Sequence, residues 1–236
     1  MSFSSTSLVA PRRAIFAARA ARCALLVGAA LLLSACATRQ PFDYTAFKAS
    51  RPRSILVLPP VNQSPEVDAP LSFLSGASVP LGEAGYYVIP IALAAETFKQ
   101  NGVTVADEAQ NIPYARLRKI FGADAALYIT IERFGTSYRL IESVVEASAH
   151  ARLVDLRSGQ EIWNNKVYLS TGQNNSGGGL IGMLVNAAIN QITNTLSNKA
   201  HQVGRAASYH LLSARKGTSN ANPMLYGPYH ALVGTD

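Results

Sequence analysis

The segment from Ala125 to Ser170 constrains the fold most, because apolar and polar residues alternate through three successive runs. Alternation with a period of two places every second side chain on one face of a β-strand. The first run, Ala125 to Phe134, places Leu127, Ile129 and Ile131 on one face. We predict that Gly135-Thr136-Ser137 then turns the chain.

The second and third runs predict a β-hairpin. Arg139 to Leu156 is long enough for an extended strand, Arg157 to Gln160 is a turn, and Ile162 to Ser170 returns antiparallel to it. One face of the long strand carries only small or apolar residues, which are Val145, Ala147, Ala149, Ala151 and Leu153. Trp163 on the returning strand is interpreted as a residue that packs on the sheet. Three antiparallel strands therefore form the centre of the predicted fold.

Helices and strands alternate on either side of this segment. The predicted strands are Ser54–Pro59 and Val103–Ala106, and the predicted helices are Pro90–Gln100, Tyr114–Phe121 and Leu180–His210. The order suits an α/β fold of the mixed α+β kind, a layered sheet with helices and a long C-terminal helix.

A long segment between Asn62 and Tyr87 is rich in Pro, Gly and Ser and shows no clear period. We predict a loop, and loops of this length are often functional. Its apolar residues, among them Leu71, Phe73 and Leu74, argue against plain disorder. We expect them to pack on the domain or on a partner protein.

The N-terminal 35 residues predict a secretory signal. Four arginines and no acidic residue precede the apolar run Ala24–Leu33, which is too short to span a bilayer. The sequence Leu33-Ser34-Ala35-Cys36 then resembles the lipobox of bacterial lipoproteins, in which the signal is cut before the cysteine and the cysteine is acylated. The alternative is an ordinary secretory signal with a chance cysteine. The residue after the cysteine is Ala37 and not Asp. This resembles the sorting signal that directs bacterial lipoproteins to the outer membrane.

These features divide the chain into four parts. We predict a signal peptide at 1–35, a lipidated cysteine and tether at 36–53, a single α/β domain at 54–213 and a C-terminal extension at 214–236. The other cysteine, Cys23, lies in the leader, so no cysteine remains for a disulfide or a metal.

The net charge of +7 exaggerates the basic character of the mature protein. Four of the 21 basic residues lie in the leader, which leaves 17 basic and 14 acidic residues after Ala35. No dense block of Lys or Arg remains, and we expect no nucleic acid partner.

The glycine-rich stretch Gly177–Gly182 does not predict a nucleotide site. It fits G-x-G-x-x-G literally, but Met183 and Leu184 stand where a P-loop needs Lys and Ser or Thr. No acidic residue occurs between Glu161 and Asp236, although a Rossmann motif needs one about 20 residues later. We interpret the glycines as a flexible connection, or as a hinge that orders on assembly.

The segment after these glycines is amphipathic and carries no charge from Leu180 to Asn198. Its polar face is rich in amides, among them Asn186, Asn190 and Asn194. A packed core helix with a neutral outer face would look this way, and a membrane-inserting segment is a further alternative. The functional interpretation is that a second copy covers the amide face, which would make the protein a homo-oligomer, most simply a dimer.

Sites for catalysis and metal binding are not predicted. The four histidines form no H-x-x-x-H pair, and no G-x-S-x-G motif occurs. Asp107 and Glu108 are interpreted as a loop pair, and Glu142 and Glu146 as solvated charges on one strand face. We therefore predict no catalytic residue, no metal site and no cofactor.

Several stretches are similar to a family of bacterial outer-membrane lipoproteins of unknown biochemical function, typified by a meningococcal surface-antigen candidate. The matching stretches span most of the mature chain, at 85–102, 120–138, 151–163, 174–192 and 225–228. More distantly, GAD at 122–124 and LVDLRSGQEIW at 153–163 look like the TolB N-terminal domain and the curli secretion lipoprotein CsgG. The resemblance implies a TolB-like layered fold and a role in envelope assembly, and it supplies no catalytic residues.

Together these observations predict a non-enzymatic lipoprotein, anchored to the outer membrane and facing the periplasm, that acts through contacts with other envelope proteins. One alternative is a subunit of a CsgG-like secretion complex. Another is an envelope hydrolase, for which no nucleophile and base can be assembled from the sequence.

Overall fold

The computed structural model describes residues 41–138, 143–171, 196–214 and 222–235. The acylation candidate Cys36, the glycine-rich stretch and the three amide residues Asn186, Asn190 and Asn194 lie outside these ranges. None of the helices within them is long and apolar enough to cross a membrane.

Six helices and six strands make up the described part of the chain. The helices are α1 Thr45–Ser50, α2 Ala69–Glu83, α3 Ile91–Gln100, α4 Ala106–Gln110, α5 Tyr114–Phe121 and α6 Leu196–Leu212. The strands are β1 Ser54–Val57, β2 Val61–Asn62, β3 Tyr87–Val88, β4 Ala125–Tyr138, β5 Ser143–Asp155 and β6 Glu161–Ser170.

The strands form one mixed sheet in the order β3-β1-β4-β5-β6, and β2 pairs with β4 beyond the end of β1. Strands β3, β1 and β4 are parallel, whereas β4, β5 and β6 are antiparallel. The mixed α/β fold is therefore confirmed. The predicted hairpin is also observed, since Leu153 of β5 pairs with Leu127 of β4 on one side and Trp163 of β6 on the other.

Helices cover both faces of the sheet. The face that carries Leu127, Ile129 and Ile131 packs against α1, α2 and α6, with the alanine-rich face of β5 and Trp163 in the same core. The opposite face, with Leu56, Ala126 and Tyr128, packs against α3, α4 and α5. The period-two alternation predicted the buried face of β4 and β5 correctly, because both strands are central and have one apolar side turned to a helix layer.

The predicted loop between Asn62 and Tyr87 is wrong, because most of it forms α2. Pro70 stands in the first turn of the helix, where proline is tolerated. Gly76 lies against α6, and a Cβ atom there would lie 2.8 Å from the carbonyl oxygen of Arg205. The small residues that favour a loop in the sequence instead allow two helices to approach closely.

Two shorter predictions also differ from the structure. Residues Gly135 to Ser137 do not turn the chain, since β4 continues to Tyr138 and Gly135 has a φ of 114° within the strand. The predicted strand at Val103–Ala106 is absent, because the amide of Val103 closes the end of α3 by donating to the carbonyl of Phe98.

The compact unit is larger than the predicted domain and begins at Phe42. Residues 45–50, predicted as tether, form α1, and Phe47 is buried in the core. The C-terminal segment, residues 222–235, is also attached to the domain. The side chain of Trp163 donates to the carbonyl of Asn222 over 3.0 Å, and the hydroxyl of Tyr44 donates to the carbonyl of Pro223 over 2.6 Å.

Candidate interaction surface

The outward side of α2 is an exposed surface without charge. We call it the α2 face, and its residues are Leu71, Ser75, Ser78, Val79 and Gly82, which lie within about 100° of one another on the helix. Leu71 is 64% exposed and Val79 is 52% exposed. No charged residue occurs between Ala69 and Gly82. An exposed helix face usually carries charges, so this face is chemically suited to contact with another surface.

The three residues of this region that were candidates for interaction lie in different environments. Phe73 is 0% exposed and belongs to the core, where its ring meets that of Phe134 at a centroid distance of 6.2 Å. Leu74 is half-buried and packs against the same core. Of the three, only Leu71 is mostly accessible to a partner.

Contacts with α6 fix which side of α2 faces outward. A Cβ atom at Gly204 would lie 2.7 Å from both the side chain of Ser72 and the ring of Phe134, so the two helices meet there without room for a side chain. At the other end, the hydroxyl of Tyr209 donates to the carboxylate of Glu83 over 2.8 Å. Because both ends of α2 are held, the α2 face cannot rotate into the core.

A serine and a histidine approach each other at this helix contact. The Oγ of Ser72 lies 2.9 Å from Nδ1 of His201, which is within reach for a nucleophile and its base. However, Ser72 is 1% exposed, and its hydroxyl donates to the carbonyl of Asp68 over 2.9 Å. Because the hydroxyl is buried, a substrate cannot reach it. The pair instead joins α2 to α6. The sequence spacing of 129 residues gives no signal of this contact.

A second polar cluster lies on the sheet, where Glu132 stands between Ser148 and His150. The hydroxyl of Ser148 donates to one carboxylate oxygen over 2.9 Å, and Nδ1 of His150 lies 3.3 Å from the other. The hydrogen bond from Ser148 lowers the pKa of Glu132, burial opposes this, and the contact with His150 lowers it further. An ionised carboxylate between the two groups separates the hydroxyl from the imidazole, so the cluster does not have the arrangement of a catalytic triad.

Metal ligands are not clustered in the described ranges, which contain no group of three or more His, Cys, Asp or Glu residues that could hold an ion. The interpretation of Asp107 and Glu108 as a loop pair is wrong, because both lie in the first turn of α4, where negative charge stabilises a helix N-terminus. Trp163 is buried between the sheet and the helix layer, as predicted.

Comparisons with known proteins give one consistent result. A family model described as GNA1162-like, a family of lipoproteins, matches residues 42–229. The chain is 48% identical over 204 residues to the lipoprotein NMB1124/NMB1162 of Neisseria meningitidis serogroup B, covering 86% of this chain and 93% of that protein. It also matches the crystal structure of lipoprotein GNA1162 from Neisseria meningitidis, with a TM-score of 0.51 and 51% identity. That match covers 61% of this chain and 100% of the solved one.

Proposed function

Because the chain belongs to the GNA1162-like family of lipoproteins, we propose that it is anchored to the outer membrane through Cys36 and faces the periplasm. Its function is to bind other proteins of the envelope, and it does not catalyse a reaction. The lipobox-like sequence before Cys36 and the following Ala37 support the anchor and its destination.

The observation that carries the proposed binding function is the α2 face. Leu71 and Val79 are exposed on the same side of the helix as Ser75, Ser78 and Gly82. The helix carries no charge before Glu83. Burial of apolar surface of this kind drives association between proteins. The face is therefore a docking surface.

The occupant that fits this face best is a second copy of the same chain. A two-fold axis brings identical patches together, so any charge on such a patch would meet its own copy. The residues of the α2 face carry no charge and avoid this repulsion, and the cation beside them is Arg205 of α6, which lines a depression together with Val79. Asn186, Asn190 and Asn194 are a second proposed part of the same assembly. This part of the proposal rests on their sequence pattern alone.

Replacing Leu71 with Glu tests the self-association. We expect the variant to associate at least about tenfold more weakly, because a buried unpaired charge costs several kcal/mol and each tenfold corresponds to about 1.4 kcal/mol. Light scattering over a range of protein concentrations measures the mass, and circular dichroism verifies the fold.

Leu93→Glu is a matched control, since Leu93 on α3 is 66% exposed, close to the value for Leu71. This control should keep the native mass. A wild-type protein that stays monomeric would contradict self-association, as would a Leu71→Glu variant with unchanged mass. If crosslinking in cells then joins the α2 face to a different protein, that protein replaces the second copy as the occupant.

Replacing Cys36 with Ala tests the anchor. Acylation needs the cysteine sulfur, so the variant should take up no labelled palmitate and should leave the membrane fraction. A Ser34→Ala variant, which keeps the cysteine, should still be labelled. Palmitate incorporation into the Cys36→Ala protein would contradict the proposed site.

A further inference from the structure

We propose that one end of the domain binds the anionic surface of a phospholipid bilayer through the headgroups. This contact would orient the domain on the membrane. It rests on the proposed anchor only because the anchor holds the domain close to the bilayer. The surface, here called the basic end, consists of Lys48, Arg51, Arg53, Arg118, Lys119 and Arg157.

The sheet gathers these residues from three separate segments. Strands β1 and β4 are parallel, with Ile55 opposite Ala125, and Ala125 in turn lies opposite Asp155 at the end of β5. Three connections therefore lie side by side at this end of the sheet. One runs from α1 into β1, one from α5 into β4, and one from β5 into β6.

Specific contacts hold the three connections together. The guanidinium of Arg157 donates to the carbonyl of Ser50, which joins the β5–β6 turn to the end of α1. The amide of Arg53 donates to the carboxylate of Asp124 over 3.0 Å, which joins the start of β1 to the start of β4. Arg118 and Lys119 line one shallow depression together with Arg157.

Positive charge dominates the accessible part of the basic end. All six cations belong to exposed residues. The carboxylates of Asp124 and Asp155 lie among them but are mostly buried, with 16% and 5% of the side chain exposed. The exposed acids at this end are Glu161, which begins β6, and Glu83, which lies beside the C-terminal segment. Six cations against these four carboxylates leave an excess of positive charge that faces solvent.

Exposed apolar side chains lie at the same end. The C-terminal segment is fixed there because the amide of Gly227 donates to the carbonyl of Ala84 over 2.7 Å and that of Tyr229 to Gly85 over 3.1 Å, just before β3. It exposes Tyr229, Leu232 and Val233. Basic residues beside aromatic and aliphatic ones are the composition that proteins place at a bilayer interface.

A cavity connects the basic and apolar parts of this end. Its volume is about 540 Å³, and Lys48 and Arg51 line it together with Tyr226 and Val233. Arg51 is the one non-glycine residue with a positive φ, 44°, in the described ranges. This backbone conformation is unfavourable for a residue with a side chain, and it places Arg51 at the edge of the cavity.

The chain length between the anchor and the domain keeps this surface close to the bilayer. Phe42 follows Cys36 by six residues, which span at most about 20 Å when fully extended. At physiological ionic strength charges interact over about 8 Å, so a tethered domain samples distances at which its charges attract an anionic surface.

Vesicle binding tests the proposal. The protein is the chain from Ala37 onward, which has no lipid and keeps the whole compact unit. It is mixed with vesicles of phosphatidylcholine, with or without phosphatidylglycerol, and sedimented. We expect binding to the vesicles that contain phosphatidylglycerol and weaker binding as salt is raised.

Arg118→Glu with Lys119→Glu should weaken this binding at least about tenfold. Arg133→Glu with Lys166→Glu makes the same change of charge on exposed strand positions away from this end and should bind as the wild type does. Circular dichroism verifies that both variants are folded.

Three results would overturn the proposal. These are no binding to anionic vesicles, equal binding to neutral ones, and unchanged binding by the Arg118→Glu, Lys119→Glu variant. Because the protein used has no lipid, none of these results depends on acylation at Cys36, and neither double variant changes the α2 face.

Discussion

Replacing Phe73 with Ala should lower the free energy of unfolding by about 3 to 5 kcal/mol, the usual cost of truncating a buried phenylalanine. Phe73 is 0% exposed and lies between α2 and the sheet, in ring contact with Phe134. The cavity left by the ring would be enclosed by α6 on one side, whose Gly204 already touches Phe134, so the site has little freedom to collapse. Urea unfolding followed by circular dichroism measures the loss.

Leu71→Ala is the matched comparison, two residues away on the exposed side of the same helix. Its effect on the unfolding free energy of the monomer should stay within about 0.5 kcal/mol. The comparison separates a core residue from a surface residue within the segment that the sequence predicted to be a single loop. Equal effects of the two changes would contradict the orientation of α2.

Replacing Asp155 with Asn should lower the free energy of unfolding by about 1.5 to 3 kcal/mol, the range for hydrogen bonds to a charged group. One carboxylate oxygen of Asp155 accepts from the amides of Arg157 and Ser158, at 2.7 and 3.1 Å. The other accepts from the hydroxyl of Ser50 and from the guanidinium of Arg157. The side chain thus fixes the β5–β6 turn and attaches α1 to it. Exposed Glu96→Gln on α3 is the control and should change stability by less than about 0.5 kcal/mol.

The same side chain predicts a dependence of stability on pH. Burial raises the pKa of Asp155, but the hydrogen bonds from Arg157, Ser50 and Ser158 outweigh it and hold the pKa well below its usual range. A carboxylate whose pKa is lowered by folding stabilises the fold above its unfolded pKa of about 3.9 and loses this contribution as the pH falls further. The wild type should therefore lose stability below about pH 4, and Asp155→Asn should lose less over the same range. Parallel pH profiles for the two proteins would contradict this assignment.

The sequence predicted the elements whose signals are local. Strands β4 to β6 alternate over many residues, and α5 ends at Gly122, which adopts the left-handed conformation that favours glycine, with a φ of 66°. Helix α2 was missed because its outer face is as uncharged as its inner one, so no polar stripe marks it as a helix. Its Pro, Gly and Ser residues then resembled a loop.

Long-range contacts explain the remaining differences. The C-terminal segment has no periodic pattern, and its attachment depends on partners such as Tyr44, which lies 179 residues from Pro223. For the proposed docking surface, the sequence pointed to the segment that forms α2 but could not tell exposed Leu71 from buried Phe73. The basic end was not predicted, because its cations are dispersed in the sequence and only the sheet topology brings them together.

The hydrogen bond between Tyr44, the residue just before α1, and the C-terminal segment bears on how the domain would respond to tension on its anchor. A pull on the N-terminal chain reaches Tyr44 and Phe47 before it reaches any strand, and the hydroxyl of Tyr44 is bonded to Pro223. We therefore expect such a load to reach α1 and the segment 222–235 before it reaches strand β1. The two chain ends should then separate from the domain before the sheet loses its own hydrogen bonds.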